Sequence, residues 1–166
     1  MKEKIKHYIK EILLFMVVMT IFANIISLYK SQDLNKQKLS LETISLINNT
    51  QYTLPNNKPI LVHVWATWCP ICKAEADNIQ RVSKLYEVIS IAVNSGSDYD
   101  IHTYMKERDL NFNVINDKDS ILAQKLHIAV YPTTFIYDKN GNLVFSEVGY
   151  TSSFGLWIRM LYASFK

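Results

Sequence analysis

Pro59-Ile60-Leu61-Val62-His63-Val64-Trp65-Ala66-Thr67-Trp68-Cys69-Pro70-Ile71-Cys72-Lys73-Ala74-Glu75 is the stretch that decides the fold. From Pro59 to Trp65 it is nearly continuous apolar sequence, the pattern of a strand buried on both faces. From Pro70 it becomes helical. Proline suits a first helical turn, where no N–H is needed and its fixed φ is preorganised. Ala74, Ile79, Val82, Leu85 and Tyr86 then recur on one side of a helix expected over Pro70–Tyr86. Cys69 and Cys72, the 2 cysteines of the chain, stand at the junction of strand and helix.

That placement is where thiol chemistry is favoured. A thiol attacks only as its thiolate, and a free cysteine ionises near pH 8.5 or so. Unpaired amides and the macrodipole at a helix N-terminus stabilise an anion at Cys69. Cys72, one turn further in, is within disulfide reach and is placed to resolve a mixed disulfide formed by Cys69. The other uses of such a pair fit less well. A structural disulfide across three residues closes a tiny loop and stabilises little. Zinc needs four ligands, and no second Cys pair or paired His follows. Copper(I) held by the two thiolates is the metal-binding alternative, because soft ligands select it.

Outward from this stretch the pattern alternates strand and helix. Glu42–Ile47 and Tyr52–Leu54 read as short strands about an Asn48-Asn49 turn. Val88–Val93 reads as a second buried strand, and Gly96-Ser97-Asp98 as a turn and cap for a helix Tyr99–Arg108. Phe112–Ile115 suggests a short strand and Asp119–Leu126 a short helix. Thr133–Tyr137 and Leu143–Val148 form a hairpin about Asp138-Lys139-Asn140-Gly141, and Ser152–Phe165 is a final amphipathic helix. The expected class is α/β, a mixed sheet flanked by helices.

At the N-terminus, Lys2, Lys4, Lys6 and Lys10 precede a run without charge from Ile12 to Leu28. Such a run, at ~1.5 Å per residue, is just long enough to cross a bilayer. The expected division is 1–11 cytoplasmic, 12–28 a transmembrane signal anchor, 29–41 a polar tether and 42–166 the folded domain. The lysine cluster keeps the N-terminus cytoplasmic and exports the domain. No Ala-x-Ala pattern marks a cleavage site. A core helix is disfavoured because the run is apolar on every side. Asn24 and Thr20 are expected against a neighbouring helix or at the interface.

The net charge of +3 divides along the same line. Residues 1–38 hold seven lysines and three acids, whereas 39–166 hold eleven basic and twelve acidic residues. A near-neutral domain offers no basic face to nucleic acid. With 49% hydrophobic and 12% aromatic residues, the chain is neither disordered, collagen-like nor a disulfide-packed miniprotein.

Trp65-Ala66-Thr67-Trp68-Cys69-Pro70-Ile71-Cys72-Lys73-Ala74-Glu75 resembles the active-site segment of the membrane-anchored TlpA/ResA branch of the thioredoxin superfamily. Tyr131-Pro132-Thr133-Thr134-Phe135 is similar to that superfamily's cis-proline segment. Gly149-Tyr150-Thr151-Ser152, with Gly155-Leu156, further resembles members of the ScsD (suppressor of copper sensitivity) type.

The resemblance implies a thioredoxin-like domain exposed outside the bacterial cytoplasmic membrane. It implies a protein thiol-disulfide oxidoreductase, a reductant fed by a membrane electron donor, with protein thiols and disulfides as substrates. A disulfide-forming oxidant and a copper-tolerance module are the alternatives. No cofactor beyond the Cys69–Cys72 pair and no resident metal is expected.

Residue by residue, Cys69 would attack and Cys72 resolve. Pro132 would be cis and packed on the disulfide, and Tyr131, with Trp68, Pro70 and Ile71, would line the partner groove. Without the resemblance, Tyr131-Pro132 is equally an ordinary strand start. Glu75 matches an acid near the active site of ResA-like proteins and would exchange protons with the cysteines; alternatively it serves only the helix dipole. His63 stands where thioredoxin carries a buried acid, as a proton relay or as a hydrogen-bonded core residue. Thr133 and the short stretch between Val93 and Phe112 depart from the pattern of cytochrome c-maturation reductants.

Overall fold

The computed structural model describes residues 2–35, 38, 43–55 and 57–166. At its centre lies β3 (Ile60–Trp65), whose six residues are all buried. Counted from the N-terminus, the elements before it are α1 (Lys2–Lys30), β1 (Thr43–Ser45) and β2 (Gln51–Thr53). After it come α2 (Pro70–Ser83), β4 (Glu87–Val93), α3 (Asp98–Glu107), β5 (Asn113–Asp117), α4 (Ile121–Lys125), β6 (Thr133–Tyr137), β7 (Leu143–Val148) and α5 (Ser153–Ser164). The main sheet has the order β5-β4-β3-β6-β7, with β1 and β2 forming a separate hairpin.

β3 pairs parallel with β4 and antiparallel with β6, which makes the sheet mixed. Successive residues of a strand point to opposite faces. Leu61 and Trp65 therefore enter one core with α2, α3 and α5, including Ile79, Ile101 and Leu156. Ile60, Val62 and Val64 enter the other, with Ile44 of β1 and Ala123 of α4. This is the thioredoxin-like α/β architecture that the sequence leads one to expect.

Two elements show how local chemistry sets boundaries. The oxygens of Ser97 and Asp100 form a reciprocal capping box at the start of α3. At α4 the cap comes from the preceding strand: Asp117 accepts from the amides of Leu122 (3.1 Å) and Ala123 (2.8 Å). This delays the helix to Ile121, two residues after the expected start at Asp119.

The inner face of α2 differs from expectation. Ala74 and Leu85, expected inside, are exposed, whereas Glu75 and Asn78 are buried with Ala76, Ile79 and Val82. The helix ends at Ser83, and Val82 O accepts from the amides of both Leu85 and Tyr86 (3.0 Å each).

The stretch expected as a tether begins otherwise. α1 continues to Lys30, a 3-10 turn covers Ser31–Asp33, and Ser27, Ser31 and Leu34 are buried against the domain. Ser27 Oγ accepts from the Val148 amide (2.8 Å) and donates to Glu147 Oε2 (3.3 Å). The Asn35 amide donates to Leu126 O (3.2 Å) and its side chain to Lys125 O (2.9 Å). The remainder of the expected tether, 36–37 and 39–41, and the strand start at 42, lie outside the described residues. The stretch Lys6–Asp33 is long and apolar enough to cross a membrane, its most apolar 18-residue window having a mean hydropathy of 2.4. Its polar residues are served largely by their own helix: Thr20 donates to Met16 O (2.8 Å) and Asn24 to Thr20 O (2.7 Å).

Candidate active site

Strand register brings four loops to one end of the sheet. Val64 of β3 pairs with Thr133 of β6, so the residues after Trp65 and those before Thr133 emerge side by side. Trp65 pairs with Ala92 of β4, which adds the Asn94-Ser95 loop. Thr133 pairs with Val148 of β7, which adds the segment from Gly149 onward. Ligands of open α/β sheets are commonly bound at such a rim of loops, beyond the strand ends.

Cys69 is the N-cap of α2, with Pro70 in the first turn. Its backbone is extended, and its Sγ accepts the Cys72 amide at 3.2 Å. The same sulfur donates to Tyr131 O at 3.7 Å. Both cysteines are free thiols, Cys69 5% and Cys72 2% exposed. Burial, and then the hydrogen bond with Cys69, hold the Cys72 thiol well above the usual range. The arrangement has a sulfur at the rim held by a helix-terminal amide, and a second, protonated sulfur behind it.

The other expected residues assemble around this pair. The Tyr131–Pro132 bond is cis, and Pro132 is buried. Trp68, 56% exposed, meets Tyr131 edge-on with ring centroids 5.6 Å apart, and its Nε1 donates to Asn94 O at 3.1 Å. Pro70 and Ile71 are exposed beside it. Together they form an apolar lip around a nearly covered sulfur.

Glu75 lies beyond the first turn of α2 and is fully buried, so a surface role with the helix dipole does not describe it. Its Oε1 accepts the Thr151 amide (2.9 Å), while Oε2 has no hydrogen-bond partner. Burial pushes its pKa up to about 8, partly offset by the Thr151 bond. Its charged form in turn raises the Cys72 thiol. A carboxyl that is neutral at pH 7, yet ionises close to it, is suited to proton exchange.

His63 is 2% exposed, and its Nδ1 lies 3.0 Å from Thr134 Oγ1. Burial pushes its pKa down to about 3. It is a neutral core histidine tied across the β3–β6 pair.

Three residues that the sequence did not single out hold the loops in place. Ser95 Oγ accepts the Thr67 amide (3.0 Å) and donates to Val93 O (3.0 Å), fixing the approach to Cys69. Asn94 takes the Trp68 indole, as described. Asn78, one turn along α2 from Glu75, donates to Tyr150 Oη (3.0 Å) and Thr151 O (3.1 Å) and accepts from Ser153 Oγ (2.7 Å). A buried asparagine on a helix is the available sequence signal, but its partners lie more than seventy residues away.

Residues 30–146 match the model of the AhpC/TSA family, more than half of the chain. The chain belongs to the AhpC/TSA family.

Among its relatives is a thioredoxin-like protein of Haemophilus influenzae, 31% identical over 168 residues, covering 99% of this chain and 97% of the relative. The thiol-disulfide oxidoreductase ResA of Bacillus subtilis is 32% identical over 91 residues, covering 52% of this chain and 51% of ResA. Among solved structures, a secreted thiol-disulfide isomerase from Corynebacterium glutamicum superposes with a TM-score of 0.69 at 20% identity. That match covers 80% of this chain and 86% of the other. The AhpC/TSA chain is accordingly a thioredoxin-like thiol-disulfide oxidoreductase of the ResA kind.

Proposed function

We propose that this chain is a membrane-anchored reductase of protein disulfides, working outside the cytoplasm and re-reduced by a membrane electron donor. The observation that carries this reading is Cys69 Sγ at the N-terminus of α2, accepting the Cys72 amide and facing the Tyr131 carbonyl.

The Cys69 thiolate attacks a sulfur of the substrate disulfide. The S–S bond breaks, one substrate thiolate leaves, and a mixed disulfide joins substrate to Cys69. Cys72 then gives its proton to Glu75 in that carboxyl's ionised form, and attacks the Cys69 sulfur. The second substrate thiolate leaves and takes up a proton. Two electrons have passed to the substrate, and Cys69–Cys72 is oxidised. Tyr131 O lies beside Cys69, where an extended substrate segment would pair with this backbone. Trp68, Pro70 and Ile71 would cover its side chains.

The surroundings of the thiols support this direction. Strong oxidants of this chemistry stabilise their reduced form. Here the amide on Cys69 Sγ is matched by burial and by the hydrogen bond with Cys69, which keep Cys72 protonated. The reduced pair therefore receives little stabilisation, which favours giving electrons away. Anchoring is supported by the apolar α1 and by the lysines before it, which orient the domain outward. The finer likeness to the ScsD type rests on Gly149–Ser152, whose Thr151 is held by Glu75 and Asn78, together with Gly155-Leu156.

Equilibration of the chain with glutathione buffers tests the direction. The expected potential lies well below about −120 mV, the value of strong oxidants. A potential at that value would make the chain an oxidant. Tight Cu(I) binding by the thiols, with insulin disulfides left intact, would replace catalysis by metal binding.

A further inference from the structure

α5 has two apolar faces. Leu156, Met160 and Ala163 are fully buried against the sheet. On the opposite side Phe154, Trp157, Ile158, Leu161, Tyr162 and Phe165 are between 43% and 78% exposed. Their spacing, i, i+3, i+4, i+7, i+8 and i+11, makes one stripe along the whole helix. No acid interrupts the sequence from Ser152 to its end, and Arg159 and Lys166 are its cations. A solvated helix normally carries charge on that side, and a continuous apolar stripe marks a surface that something covers.

The position of α1 identifies the cover. Arg159 Nη2 of α5 donates to Asn24 Oδ1 of α1 (3.4 Å), and Ser27 is bonded to Glu147 and Val148 of the adjoining β7. Asn24 lies four residues before the end of the uncharged run at Leu28, roughly 6 Å along a helix axis. Amphipathic helices lie ~5–10 Å into the boundary between headgroups and acyl chains, the same depth. Trp and Tyr favour that level. The charge of Arg159 is matched there by Glu147, Nε to Oε1 2.7 Å.

We propose that the outer face of α5 docks on the bilayer surface, in the leaflet from which α1 emerges, with Phe154, Trp157, Ile158, Leu161 and Phe165 among the lipids. This rests on the membrane-anchored reading above. Two contacts then hold the domain to the membrane, α1 through it and α5 along it. The N-terminal end of α5 adjoins the Thr151 loop that bonds Glu75, so the active-site rim keeps a fixed orientation to the bilayer.

The test uses the full chain in phosphatidylethanolamine–phosphatidylglycerol vesicles, with lipids brominated near the headgroup as quenchers. The Trp157 component is isolated by comparison with Trp157→Phe. Headgroup-proximal bromine is expected to quench the wild-type chain, with loss of that component in Trp157→Phe and protection from aqueous iodide. Phe154→Ser/Ile158→Ser should expose Trp157 to iodide, while its rate of insulin reduction in detergent matches wild type. A Trp157 quenched by iodide and not by brominated lipid overturns the proposal. Shielding from both quenchers that grows with protein density also overturns it, in favour of a second copy. Extraction by alkaline carbonate reads the anchor separately. A chain that stays in the vesicles with an iodide-accessible Trp157 defeats the docking proposal alone, and a chain that washes off defeats both.

Discussion

Cys69 and Cys72 differ by a single helical turn, and that turn separates their roles. Cys69 caps α2 at the rim, whereas Cys72 is enclosed and held protonated. Cys69→Ser should abolish reduction of insulin disulfides, and Cys72→Ser should leave a slow thiol that accumulates mixed disulfides. Glu75→Gln keeps the hydrogen bond from Thr151 but removes the proton acceptor. Resolution of a preformed mixed disulfide at pH 8, where Glu75 is about half ionised, should slow by about 100-fold, the ordinary contribution of a positioned general base.

Stability should carry the mark of two buried groups. Glu75 ionises near 4.5 when unfolded and at about 8 when folded, so the folded state holds the extra proton. Its contribution is complete below pH 4.5 and is lost as pH rises through 8. His63 has the opposite sign: its folded pKa of about 3 lies below the unfolded 6.5, so stability is lost as pH falls from 6.5 through 3. Each slope reaches at most about 1.4 kcal/mol per pH unit. Chemical denaturation across pH should show a loss toward pH 8 that disappears in Glu75→Gln, and an acid loss that diminishes in His63→Asn. Between pH 4.5 and 6.5 the two slopes offset each other.

Among the elements, α2 shows what an apolar pattern conveys and what it omits. The start of the helix was legible because Cys-Pro after a buried run has one local solution. Its inner face was not: Glu75 and Asn78 are inside because Thr151, Tyr150 and Ser153 supply their partners. Periodicity within one helix contains nothing of a loop more than seventy residues away. Asn78→Ala should therefore cost about 1–3 kcal/mol in urea denaturation, because it strands groups that it satisfies. β6 and β7 were legible to the residue because a proline and an Asn-Gly turn bound them. α5 joins both cases, since its amphipathic pattern was evident but its second apolar stripe needs the buried side to be known. Leu156→Ala should cost about 2–5 kcal/mol, whereas polar substitutions at Phe154 or Ile158 should leave detergent-solution stability nearly unchanged.

For the whole molecule, the sequence separates an orienting lysine cluster and an apolar helix from a nearly neutral redox domain. It did not reveal how closely they join. Ser27 and Asn35 make that junction with backbone groups of Val148, Lys125 and Leu126, which leave no apolar signature to read. Ser27→Ala leaves the Val148 amide of edge strand β7 without its oxygen. Limited proteolysis after Lys30 should accelerate about tenfold, as expected for a loss near 1.4 kcal/mol, with insulin reduction unchanged.

The central claim is that electrons pass through a covalent bond between Cys69 and a protein partner. Cys72→Ala, expressed as the full chain in its own cell and analysed without reductant, tests this most directly. Mixed disulfides should accumulate, each mapping to Cys69 and each absent from a Cys69→Ser/Cys72→Ala chain. A Cys72→Ala chain that is stably folded, remains in the membrane and carries no protein adduct at Cys69 would contradict the account.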